Sequence, residues 1–183
     1  TRIHATDACM VMYVVEGAAH QPRINKVGLP VWEGGTPYMH CFACDLDNPG
    51  HALWTDEGFL AAREQDRTLP TLATAGVYYT PSGRRVLQPL VHPIAVPEAE
   101  AYLGEWLDRL RADGLAVDTD CKDWTRHFRL PHTRRPVQPD QRIANIRSRC
   151  VDLDRMVAIE PPPLSRPLES LASGPRRKRP VLE

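Results

Sequence analysis

The sequence predicts a mixed α+β domain, and three stretches carry that expectation. Residues 38–47, YMHCFACDLD, form an apolar and aromatic run that ends on Asp45 and Asp47. Residues 74–79 and 86–90 are strand-like runs joined by a Pro-Ser-Gly turn, the pattern of a hairpin. Pro97 to Gly114 places Ala101, Tyr102, Trp106, Leu107 and Leu110 at helical spacing, with charged residues outside.

In chain order, residues 9–15, CMVMYVV, are continuously apolar and read as a buried strand. Glu16 to Pro37 holds four glycines and three prolines and reads as a long loop or loose hairpin carrying Arg23 and Lys26. The strand at 38–47 follows and is stopped by Asn48-Pro49-Gly50. A helix is expected over 54–65, with Thr55 as its cap and Phe59, Leu60 and Ala62 on its apolar side. Leu69-Pro70 ends it, and the hairpin comes next. In the 97–114 helix, Pro97 suits the first turn and Gly114 the C-cap. Leu115 to Val117 begins a short connection to an acidic stretch, 118–123, and then to Trp124-Thr125-Arg126-His127-Phe128-Arg129-Leu130-Pro131. A further strand is expected at 155–159. Residues 1–160 are expected to form the folded domain. Residues 161–183, proline-rich and bearing Arg176-Arg177-Lys178-Arg179, are expected to be an extended basic tail or linker.

The chemistry starts from Asp45 and Asp47. Alternate side chains of a strand share a face, so two carboxylates one residue apart leave the strand end side by side. Their repulsion calls for a compensating charge, and hard oxygen ligands suit Mg²⁺ or Mn²⁺. A solvated loop pair is the plain alternative, and Asp152-Leu153-Asp154 serves as an internal control: it lacks the long apolar strand and reads as a surface pair. The turn at 80–85 offers a Ser hydroxyl, backbone N–H groups and two arginines, a set that suits a phosphate chain or simply a solvated turn. Asp123 reads either as one half of a buried ion pair with a nearby arginine or as a third metal ligand.

Composition narrows the class. The 183 residues are 42% hydrophobic and 25% charged, ordinary for a globular domain. Zero formal net charge leaves any basic surface local. The five cysteines fit no disulfide framework and point to a reducing, cytoplasmic compartment. Cys41 and Cys44 have the spacing of half a zinc site but no second pair, and read as small buried hydrophobes. No apolar stretch approaches the length of a membrane span, so no membrane partner is expected.

The order of these parts resembles the archaeo-eukaryotic primase superfamily, above all the primase-polymerase domains of mobile elements. The resemblance covers roughly residues 38–136, and its most specific motif is Asp-Trp-Thr-Arg-His-Phe-Arg-Leu-Pro at 123–131. It implies an RRM-like catalytic sheet combined with a second small α/β unit. It implies Mg²⁺ or Mn²⁺ held by Asp45, Asp47 and Asp123, and nucleotide contacts from Ser82, Arg84, Arg85, Arg126 and Arg129. The implied activity is a DNA primase and polymerase that adds nucleotides to a 3′-hydroxyl. The implied partners are a single-stranded DNA template, nucleoside triphosphates and a helicase domain or protein outside this chain. One departure stands out: many members carry a nucleotide-binding His in the second hairpin strand, where this chain reads Arg84-Arg85-Val86-Leu87-Gln88. That departure keeps a second function open, a nucleic-acid-binding replication module of the same fold with impaired catalysis. A rolling-circle nuclease fits less well, because the chain has no His-x-His metal motif.

Overall fold

The structure, a computed structural model, describes residues 9–17, 23–24, 30–31, 35–96, 98–124, 126–129, 151–152 and 154–167. The elements are β1 (Cys9–Met10), β2 (Tyr13–Glu16), β3 (Arg23–Ile24), β4 (Pro30–Val31), β5 (Thr36–Asp47), α1 (Asp56–Thr68), β6 (Gly76–Thr80), β7 (Gly83–Ala95), α2 (Glu98–Ala112), β8 (Phe128–Arg129) and β9 (Val151–Asp152). The mixed α+β class is therefore observed. One five-stranded sheet, in the order β2-β5-β7-β6-β9, forms the body, and every pairing between its strands is antiparallel.

β5 is an interior strand, paired with β2 and β7, and its sequence suits burial on both faces. Phe42, Ala43, Cys44, Asp45 and Leu46 are all buried. On its other edge, beyond the end of β2, Val117 bridges Leu46 in antiparallel sense. The order from β5 onward is thus strand, helix, strand, strand, helix, and a last strand reduced to one bridge beside β5.

Each helix has a local cause. The Thr55 side chain accepts from the Gly58 amide at 3.0 Å, and Asp56 and Glu57 fill the first turn of α1, where carboxylates suit the helix dipole. α2 ends at Gly114, which adopts φ of 81°. The Leu115 amide donates back to Leu110 and the Gly114 amide to Arg111, closing the end in a left-handed cap. The α2 face of Ala99, Leu103, Trp106, Leu107 and Leu110 is buried. Trp106 meets Phe42 with ring centroids 5.6 Å apart, so beyond the irregularity at Met39–Cys41 the residues Phe42, Cys44 and Leu46 face the helix while Ala43, Asp45 and Asp47 face away. Burying each such leucine contributes about 1.5–3 kcal/mol.

The hairpin forms as expected, with Thr80 opposite Gly83 across Pro81 and Ser82. Its outer edge is closed from the C-terminal side. Gln88 is buried, and its side-chain amide donates to the carbonyls of Val157 at 2.9 Å and Pro89 at 3.2 Å. The Thr74 hydroxyl donates to its Oε1 at 3.0 Å.

Several expectations are corrected. Residues 9–15 are not one buried strand: β1 and β2 are separate, and Val11 and Val14 are exposed. β2 lies at an edge of the described sheet, and its residues alternate half-buried and exposed, so one face is open. No strand runs over 155–159. β9 lies earlier, and Ile159 makes a single parallel bridge to Leu90. Of residues 161–183, only 161–167 are described; there Pro162 is buried and the Ser165 amide donates to Glu105 of α2 at 3.0 Å. Outside the main sheet the described residues hold only the two-stranded pairs β1-β8 and β3-β4, with no further α-helix to build a second α/β unit. The basic run 176–179 and the segment 131–150 lie outside the described residues. Among the described residues no helix is long and apolar enough to cross a membrane.

Candidate functional site

The site lies on the sheet face turned away from α2. There Asp45 of β5, Arg85 of β7 and Tyr78 of β6 stand in one cross-strand row. Asp45 is buried, and Arg85 Nε donates to its Oδ1 at 2.5 Å. The Arg85 guanidinium lies over the rings of Tyr78, at 5.8 Å, and Phe128, at 6.0 Å. Burial opposes the Arg85 charge, but the Tyr78 oxygen and the Asp45 carboxylate outweigh it and hold its pKa above the ordinary value.

The second Asp45 oxygen is held from another segment. Arg126 donates from one nitrogen to Asp45 Oδ2 at 3.0 Å and from the other to Asp118 Oδ2 at 2.8 Å. The guanidinium fork therefore spans two carboxylates. Asp118 arrives there because the connection 115–118 runs beside β5: its own amide donates to the Asp45 carbonyl at 3.0 Å. Burial acts against the Asp118 charge, yet the Asp120 amide and Arg126 prevail and lower its pKa. Cys121 completes the cluster, and its sulfur accepts from the Asp45 amide at 3.1 Å. One ligand atom from each of Asp45, Asp118 and Cys121 lies within 4.8 Å of the others.

Asp47 leaves the end of β5 on the same face as Asp45 and is one-third exposed, with His51 Nδ1 at 3.7 Å from its Oδ2. Partial burial, and then the Asp45 charge, raise its pKa. Gly83 opposite it leaves room for this carboxylate, since an added Cβ there would lie 3.2 Å from Asp47 Oδ1.

Measured against the sequence-based set, Asp45 and Asp47 share the face, as alternation requires. Asp123 does not join them. It is exposed, beyond the one-turn 3-10 helix at Thr119–Lys122, and the third carboxylate at Asp45 is Asp118. The sequence of the short run 115–118 carries no signal for this, because Asp118 is placed by the bridge between Val117 and Leu46. Arg85 and Arg126 reach the site. Arg84 does not: it points to the helix face, where its Nε lies 2.8 Å from Asp66 Oδ1. Asp66 is buried and also accepts from the Tyr79 hydroxyl at 2.6 Å. Ser82 sits in the hairpin turn, its carbonyl accepting from the Asn48 amide at 2.8 Å. The Arg129 backbone pairs with Cys9, and its side chain lies outside the described residues.

The donor chemistry fits a hard divalent cation. Asp45, Asp47 and Asp118 offer carboxylate oxygens of the kind Mg²⁺ and Mn²⁺ prefer. Burial pushes the Cys121 thiol up to about 11, so in the metal-free protein it is protonated at neutral pH, with its sulfur accepting from the Asp45 amide. Cys41 and Cys44 are free, half-buried and buried respectively, in keeping with small hydrophobes. Beside the site opens a cleft of about 650 Å³ lined by Thr119, Asp120, Asp123, Arg126 and His127. No protein-family model, curated protein or solved structure matches this chain.

Proposed function

We propose that the protein is a metal-dependent nucleotidyltransferase, a DNA primase and polymerase acting on a single-stranded DNA template. The observation that carries the reading is the meeting of Asp45, Asp118 and the neighbouring Asp47 with Arg85 and Arg126 on one sheet face. The strand-helix-strand-strand-helix-strand order supports an RRM-like description of the sheet, the catalytic scaffold implied by the primase resemblance. Asp45, Asp47 and Asp118 would hold Mg²⁺ or Mn²⁺. Such an ion, when bound, activates a 3′-hydroxyl and offsets the charge of an incoming triphosphate. Arg85, fixed by its ring contacts, holds Asp45 in place. Arg126, at the cleft, is the cation best placed to meet a phosphate.

The test is incorporation of labelled nucleotides on a single-stranded template, with and without primer, at graded Mg²⁺ and Mn²⁺. Asp47→Ala removes a partly exposed ligand and should abolish incorporation while leaving the fold intact by circular dichroism. Asp118→Ala should do the same, whereas Asp123→Ala should retain most activity. A folded Asp47→Ala protein that extends primers normally would end this assignment.

A second reading, a binding module with impaired catalysis, draws on a different observation. Asp45 is already neutralised by two guanidiniums, and Arg84 is turned to the helix face. Binding of labelled template that is indifferent to chelator, with no incorporation, would favour it.

A further inference from the structure

We propose that Arg126 is a resident cation of this site, which a divalent metal displaces into the adjoining cleft. The inference rests on the reading of Asp45 and Asp118 as metal ligands. Arg126 lies between Asp45 Oδ2 and Asp118 Oδ2, at 3.0 and 2.8 Å. Asp45 and Asp118 each also contribute one carboxylate oxygen to the close-set group that could hold an ion. Without a cation, two carboxylates this near each other repel, and the guanidinium removes that repulsion. Guanidinium and metal therefore compete for the same two carboxylates.

Of the two arginines at Asp45, only Arg126 is built to leave. Arg85 stands on a central strand, is 13% exposed, and is held by two rings as well as by Asp45. Arg126 follows a 3-10 turn, outside any strand or helix, is 26% exposed, and among the described residues lies over one ring, that of Phe128, at 5.9 Å. It already forms part of the cleft wall, which it shares with the acidic residues Asp120 and Asp123.

Titration of the full chain with Mn²⁺ in the absence of nucleotide, followed by calorimetry, tests this. Arg126→Gln should tighten Mn²⁺ binding by about fivefold, the combined weight of its two partly exposed ion pairs, each worth a few tenths of a kcal/mol. Asp118→Asn should weaken it. Arg126→Gln that is folded by circular dichroism yet binds Mn²⁺ no better than the parent overturns the proposal and leaves the metal site standing. Absence of Mn²⁺ binding in both proteins overturns the metal reading as well. Should Arg126→Gln fail to fold, the parent chain still decides. On adding Mg²⁺, the Arg126 Nε–H resonance should shift while that of Arg85 holds, and an unmoved Arg126 signal refutes displacement.

Discussion

Gly83→Ala would test how tightly the hairpin seats Asp47. An alanine Cβ would fall 2.5 Å from the Leu46 carbonyl oxygen and 3.0 Å from Asp47 Cα. Both are backbone atoms, so no side chain can swing aside to make room. Restoring ordinary contact requires the ends of β5 and β7 to part by about 0.9 Å, enough to forfeit much of the packing there. Overpacking of this kind costs about 1–3 kcal/mol. For a chain of this length that lowers the melting temperature by roughly 3–10 °C. Urea unfolding and thermal melting followed by circular dichroism measure it. Gly104→Ala is the control: inside α2, its added Cβ meets nothing within 4 Å. That change should raise stability by about 0.5–1 kcal/mol, the usual helix preference for Ala. If Gly83→Ala unfolds within about 0.5 kcal/mol of the parent, the close approach is not a constraint and the reasoning fails.

The helix-face ion pair makes a second prediction: Arg84→Leu leaves Asp66 buried without its cation and should cost about 3–5 kcal/mol in urea unfolding, against about 1 kcal/mol for Tyr79→Phe. A third concerns pH. Burial and then the Asp45 charge raise the Asp47 pKa above its ordinary 3.8, so the folded state holds this proton more tightly than the unfolded chain. Asp47 therefore costs stability as pH rises through that window, and the cost persists at neutral pH. Asp47→Asn should stabilise the metal-free protein at neutral pH, with the gain shrinking as pH falls toward the ordinary value; a gain independent of pH would refute this cause. A fourth concerns the thiols: burial raises Cys41 to about 12 and Cys121 to about 11, so both should resist iodoacetamide at neutral pH in the native protein and react once urea unfolds it.

The parts of this site that local pattern encodes were legible in the sequence. Alternation along 42–47 placed Asp45 and Asp47 together, and Thr55 and Gly114 marked helix ends by side-chain capping and left-handed φ. What escaped was set by partners distant in sequence. Asp118 is a ligand candidate because Val117 bridges Leu46, a pairing that nothing in the short run 115–118 announces. Arg84 and Arg85 look equivalent in a turn motif, yet one residue of offset sends them to opposite faces. Arg84 is claimed by Asp66, a helical carboxylate that resembles any solvated one until the fold buries it. The strand at 9–15 was over-read because continuous apolar character does not tell a central strand from an edge.

The return of residues 157–159 to the outer strands bears on where this chain can be shortened. Removing everything after residue 156 would take away the Val157 acceptor and strand part of the Gln88 amide in an apolar interior, a loss of about 1–3 kcal/mol. It would also free the Leu90 edge that Ile159 now occupies, leaving open backbone of the sort that recruits a neighbouring molecule. Trimming the chain in that region invites aggregation, so a soluble, minimal version should end beyond Ser165 rather than at the first proline of the C-terminal run.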